Sequence, residues 1–142
     1  MTRIDFYILS SDTMESGDQF ACRLAEKAYR AGLRVLVAVD NAERAETLDR
    51  LLWTFREDTF VPHDRQQAEK QAAVEINCGE DPGAHHGLLI NLCSEVPGWF
   101  SRFERLAEIV IQQPEALARS RQRYSYFRDR GYPLQSHRIS NH

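Results

Sequence analysis

The chain has 142 residues, with 18 Lys+Arg against 21 Asp+Glu and a formal charge of −3. That length suits one α/β domain, spanning 1–142 with a loose end of about seven residues, and the acidic balance speaks against a general nucleic-acid binder. No apolar run approaches the ~18 residues of a membrane span, and three cysteines without framework spacing exclude a disulfide scaffold. No charged and then apolar leader opens the chain, so an unprocessed protein of the reducing cytoplasm is expected.

Ile4-Asp5-Phe6-Tyr7-Ile8-Leu9 is a β-rich run that ends at Ser10-Ser11-Asp12. Phe20, Leu24, Ala28 and Ala31 recur at helical spacing and predict a helix over 18–31, capped by Ser16 or Asp18 and stopped at Gly32. The nearly continuous apolar stretch from Leu33 to Val39 suits a strand covered on both faces, as in a parallel sheet. A second helix is predicted from Ala42 to about Phe55, burying Leu48, Leu51, Leu52 and Phe55.

Phe60-Val61-Pro62-His63 reads as an extended edge piece, because proline lends no N–H to a ladder. A polar loop over 64–72, a short strand Ala73–Ile76 and an exposed, glycine-rich loop from Cys78 to Gly87 follow. Gly87–Leu92 is an apolar strand. Trp99, Phe103 and Leu106 suggest a short helix, and Ile109-Val110-Ile111 the last strand. Pro114 opens a final helix that Gly131-Tyr132-Pro133 ends. This alternation predicts an α/β fold: a Rossmann-like, three-layer α-β-α sandwich with a mainly parallel sheet.

Enzyme signatures are sparse. The first strand-to-helix turn, Leu9 to Gly17, has neither G-x-G-x-x-G nor a P-loop, so the nucleotide-binding fingerprint is missing and no cofactor is expected. Cys78, His85, His86 and Cys93 match no common zinc spacing. Cys93-Ser94-Glu95 closes a strand at the end where α/β enzymes keep their sites, which makes a small α/β enzyme the alternative reading, without a recognisable triad.

Two surfaces stand out. Residues 1–101 carry 10 cations against 17 acids, whereas residues 102–142 carry 8 against 4, and all eight are arginine. Arg119 to Gly131 packs five arginines and three aromatic residues into thirteen positions. At ~100° per residue, Leu117, Arg121, Tyr124 and Arg128 form one stripe of apolar and guanidinium groups, suited to an acidic partner with an apolar anchor. Ala116, Ser120 and Phe127 form the core side; Arg119, Arg123 and Arg130 are expected to face solvent. Single-stranded DNA stacking on Tyr124 and Tyr126 is a further reading. Trp53 is the other anomaly, roughly 140° away from Leu48 on its helix and thus off the core face. A cover from the 54–61 segment and a partner interface account for it equally well.

Asp5–Leu9, Arg34–Ala38, Leu48-Asp49-x-x-Leu52-Trp53, Phe60–His63, Val74–Ile76 and Arg121-x-Arg123-Tyr124-x-x-Phe127-Arg128-x-x-Gly131 together resemble the chi subunit family of bacterial DNA polymerase III holoenzyme. The resemblance covers nearly the whole chain. It implies a non-catalytic adaptor in DNA replication that links the clamp loader, through the psi subunit, to the acidic C-terminal tail of single-stranded DNA-binding protein. It places psi on Trp53, Phe60, Val61 and Pro62, and the tail on Leu117, Arg121, Tyr124, Arg128 and Gly131. In some members a DinG-like repair helicase is implied at the psi-binding surface. Leu117 and Ser125 depart from the pattern, which has lysines there, so Arg119 and Arg123 also stand as candidate tail contacts.

Overall fold

A computed structural model describes residues 1–54, 63–65, 74–79, 81–83 and 87–140. Strand β1 (Arg3–Leu9) leads into helix α1 (Met14–Arg30), strand β2 (Val35–Ala38) and helix α2 (Ala42–Thr54). Strands β3 (His63–Arg65), β4 (Val74–Asn77) and β5 (Leu88–Asn91) follow. A single 3-10 turn (Phe100–Arg102), strand β6 (Arg105–Val110), helix α3 (Pro114–Asp129) and strand β7 (Leu134–Ile139) complete the order.

The seven strands form one sheet in the order β3-β4-β2-β5-β6-β1-β7, and every pairing is parallel. Side chains alternate across it. Val35 and Val37 join Ala21, Ala25 and Leu48 beneath α1 and α2, whereas Leu36 and Ala38 join Ile4, Phe6, Phe100 and Phe127 on the α3 side. Helices thus cover both faces of the sheet, in the expected α-β-α arrangement. Parallel strands need such crossovers, and full coverage explains why β2 is buried at all four positions.

Helix α1 starts earlier than the sequence suggests. Thr13, in extended backbone, is the cap: its Oγ1 accepts from the Ser16 N–H at 3.1 Å. The stop is as expected. Gly32 adopts φ 90°, its N–H reaches the Tyr29 carbonyl at 2.9 Å, and Leu33 N–H returns to Ala28 at 3.0 Å. The buried face is not the expected Phe20-Leu24-Ala28-Ala31 stripe. Gly17, Ala21, Cys22, Ala25 and Ala28 face the sheet, Phe20 and Leu24 are half-buried, and Ala31 is exposed. Small residues let the helix axis approach the strands; a Cβ on Gly17 would stand 3.3 Å from Ile111.

Two further expectations change. Trp99, Phe103 and Leu106 do not share a helix, because the chain makes only the 3-10 turn and Leu106 already lies in β6. Leu106, Ala107 and Glu108 are all buried, so this strand lacks the alternation that would have marked it. The end segment contributes a strand that the sequence reading left as a loose tail. Residues 134–139 pair with β1, from Ile4↔Leu134 to Leu9↔Ile139. Strand β3 takes the edge position expected at His63 but continues through Asp64 and Arg65, where a polar loop was expected, while Phe55, the rest of the edge piece and residues 66–73 lie outside the described residues.

Candidate functional site

Helix α3 is set by its ends. Gln113 Oε1 accepts from Ala116 N–H at 2.9 Å, and Pro114 occupies the first turn, where its missing N–H costs nothing. Gly131, at φ 81°, closes the other end, with Tyr132 N–H bonded to the Phe127 carbonyl at 3.1 Å. Phe127 is wholly buried, edge-on to Phe100 at 5.3 Å between ring centroids, and Ser120 is buried two turns earlier on the same face. Those contacts fix the rotation of the helix about its axis.

With that rotation, Leu117, Arg121 and Tyr124 line a groove of about 370 Å³ between α3 and the sheet. Its floor is Phe6, Ile8 and Val110; its far wall is Ser136 and Arg138 from β7. Tyr124 stays 37% exposed while its ring leans on Phe6 at 5.4 Å, so it is a fixed wall and not a loose side chain. Among the described residues no acidic side chain lines the groove. Among the described residues neither Arg121 nor Arg138 makes an ion pair, which leaves both guanidiniums able to meet carboxylates. An apolar floor, an aromatic wall and two unpaired cations together suit an acidic peptide with an apolar residue.

Three of the five residues on which the resemblance placed the tail therefore meet here. Arg128 does not line the cavity. It lies one turn further along α3, exposed and 3.5 Å from Asp129. Gly131 is absent from the lining too, and acts at one remove by turning the chain into β7. Arg138 and Ser136 escaped the sequence reading because the end segment was not assigned as a strand. Their i, i+2 spacing after a helix stop is the signal that would have found them.

The other arginines divide. Arg130 stacks over the Tyr126 ring at 3.8 Å, and Arg119 is exposed. Arg123 is not the solvent-facing residue that the helical wheel suggested. Its Nε lies 3.0 Å from the wholly buried carboxylate of Glu108, and its Nη1 donates to the Ser94 carbonyl at 3.0 Å. The contact with Glu108 is an ion pair whose N–H points off the oxygen. Asn91 Nδ2 donates to the second Glu108 oxygen at 3.1 Å. Burial pushes the Glu108 carboxyl above its ordinary range, opposed by the Arg123 charge and the Asn91 bond. A helical wheel reports one helix only and takes no account of an acidic side chain rising from the sheet below.

Cys93 and Ser94 follow β5 at its C-terminal end. Burial, with Asp40 and Glu108 adding to it, pushes the Cys93 thiol up to about 12, the reverse of what a nucleophile requires. The Ser94 hydroxyl donates to Asp40 at 2.8 Å. His137 is engaged with Asp5 at 3.0 Å and stacked on Tyr7, so it gives neither of them a base. His85 and His86 lie outside the described residues, among which no group of three metal-ligating side chains occurs. Likewise no helix among them is long and apolar enough to cross a membrane.

Trp53 sits near the end of α2 with 58% of its surface exposed, while Leu48 and Leu52 on the same helix are buried. Its off-core position is as the helical geometry predicts. Phe60, Val61 and Pro62 lie outside the described residues.

The chain matches the family model described as DNA polymerase III chi subunit, HolC, over residues 1–135. It is 45% identical over 140 residues to the DNA polymerase III subunit chi of Pseudomonas aeruginosa, with 98% of each chain covered. Proteins of the same name from Haemophilus influenzae and Escherichia coli are each 28% identical to it, with 94% of this chain covered and 95% and 96% of theirs.

Proposed function

Because the chain belongs to the DNA polymerase III chi subunit family, a family of replication subunits, we propose that it works as an adaptor without catalysis of its own. One docking surface is the groove between α3 and β7, which holds the acidic C-terminal tail of single-stranded DNA-binding protein. The other is the exposed Trp53 end of α2, together with Phe60, Val61 and Pro62, which meets psi and through it the clamp loader. The setting is the cytoplasmic replisome.

The observation that carries the reading is the groove itself. It offers an apolar floor for a terminal side chain, and Arg121 and Arg138 for the carboxylate and upstream aspartates. Arg121 and Arg138 come from different elements, which suits a peptide lying across the groove. Leu117 and Ser125, standing in place of lysines, shift the cationic contribution onto these arginines. Charge attraction speeds encounter and makes the complex salt-sensitive. Fluorescence anisotropy with a labelled peptide ending Ile-Pro-Phe, with aspartates before it, tests the proposal. Binding on the order of micromolar at low salt is expected, and no binding by the intact chain rejects the groove.

A further inference from the structure

A second cleft, of about 300 Å³, lies on the opposite face of the same strands. Phe6 and Ile8 of β1 point into the groove beside Tyr124, so Tyr7 points the other way, and Ile139 of β7 does so with it. Helix α1 closes the other side with Phe20 and Leu24. Both are half-buried at the margin of the buried small-residue face of α1, Phe20 against the Tyr7 ring and Leu24 against the core.

The charged part of this lining is entirely cationic: Arg23, Lys27 and Arg105. Arg23 and Lys27 are one turn apart on α1, where like charges repel, and neither has an ion-pair partner among the described residues. Arg105 reaches Asp5 at 3.6 Å, but that one carboxylate also serves Arg3 at 3.2 Å and His137 at 3.0 Å. Positive charge therefore remains unbalanced around an apolar hollow, on a chain whose formal charge is −3.

We propose that this cleft is a second docking site, for an acidic linear peptide that sets one apolar side chain against Ile139 and the edge of the Tyr7–Phe20 ring pair, whose centroids are 5.4 Å apart, and its carboxylates on Arg23 and Lys27. Charge complementarity selects that occupant. Three cations around an apolar pocket make a local match for a short peptide, and not the continuous basic track that a nucleic-acid strand follows. The cleft is independent of the tail groove, since it shares no lining residue with it.

The test is a titration of the isotope-labelled chain, carrying Arg121→Ala to weaken the first groove, with the peptide Asp-Asp-Asp-Ile-Pro-Phe. Backbone shifts at Phe20, Lys27 and Ile139 are expected to saturate. Arg23→Gln with Lys27→Gln, both surface changes that leave the core intact, should weaken them about tenfold, and adding the same peptide without its phenylalanine should leave them absent. Shifts confined to the α3–β7 groove overturn the second site and leave the first standing. If those around Tyr124 vanish while the cleft shifts remain, the two sites are separable and the proposal holds. A concentration-dependent dimer, abolished by the same double variant, would put a second copy in the cleft and overturn the peptide.

Discussion

The Nε of Arg123 stands 3.0 Å from the carboxylate of Glu108, a residue wholly buried within β6. That pair fastens the groove-forming helix to the sheet. Arg121 and Tyr124 flank Arg123 in sequence, so the angle at which they face the groove depends on it. A buried pair of this kind gives little net stability, but losing one partner leaves an uncompensated charge.

Arg123→Leu should therefore show a pH-dependent loss. Glu108 has a raised folded pKa, so its contribution to stability is fullest below the ordinary glutamate value and declines as pH rises through the folded one. Without Arg123 that pKa climbs further. The loss is expected to be about 1 kcal/mol near pH 4, from the Ser94 hydrogen bond, and about 3–5 kcal/mol at pH 8. Urea unfolding at both pH values checks this; equal losses would contradict it. Pairing Arg123→Leu with Glu108→Leu should recover most of the deficit.

In the tail groove, Arg121→Ala and Tyr124→Ala are each expected to weaken the acidic peptide by tenfold or more, with the fold unchanged by circular dichroism. Arg138→Ala should come close to Arg121→Ala. Arg128→Ala, outside the cavity, should cost much less. If Arg128 proves the dominant residue, the peptide lies further along α3 than the groove implies.

Cys93 should alkylate slowly. A thiol pushed up to about 12 carries roughly a thousandth of the thiolate of an ordinary one at pH 8. In a Cys78→Ser background, iodoacetamide labelling followed by mass spectrometry should lag far behind free cysteine. Rapid labelling of Cys93 would revive the enzyme reading.

Trp53 fluorescence should change when psi is added and stay constant with the tail peptide, because the two proposed surfaces lie on different helices. The reverse response would mean that the assignments are exchanged.

Gly87→Ala should destabilise by at least about 2 kcal/mol in thermal unfolding. A Cβ there would overlap the Arg34 carbonyl oxygen, which accepts the Leu88 N–H at 2.8 Å. An unchanged melting temperature would show that β5 has room to shift at its start.

By itself, the sequence determined the α/β class, the stop at Gly32, the span of α3 from Pro114 to the turn at Gly131, and three of the four members of the stripe Leu117, Arg121, Tyr124 and Arg128. These are local matters of period, capping and backbone sterics, legible within a turn or two of chain. It also placed Trp53 off its helix core, because one helix suffices for that geometry. Tertiary structure alone decided that Arg123 turns inward, since its partner Glu108 is fifteen residues away on a strand whose buried character hides its period. It decided likewise that residues 134–139 form an edge strand. Pairing with β1, more than a hundred residues earlier, supplies the ladder hydrogen bonds that so polar a segment cannot replace by burial, and it carries Arg138 to the groove.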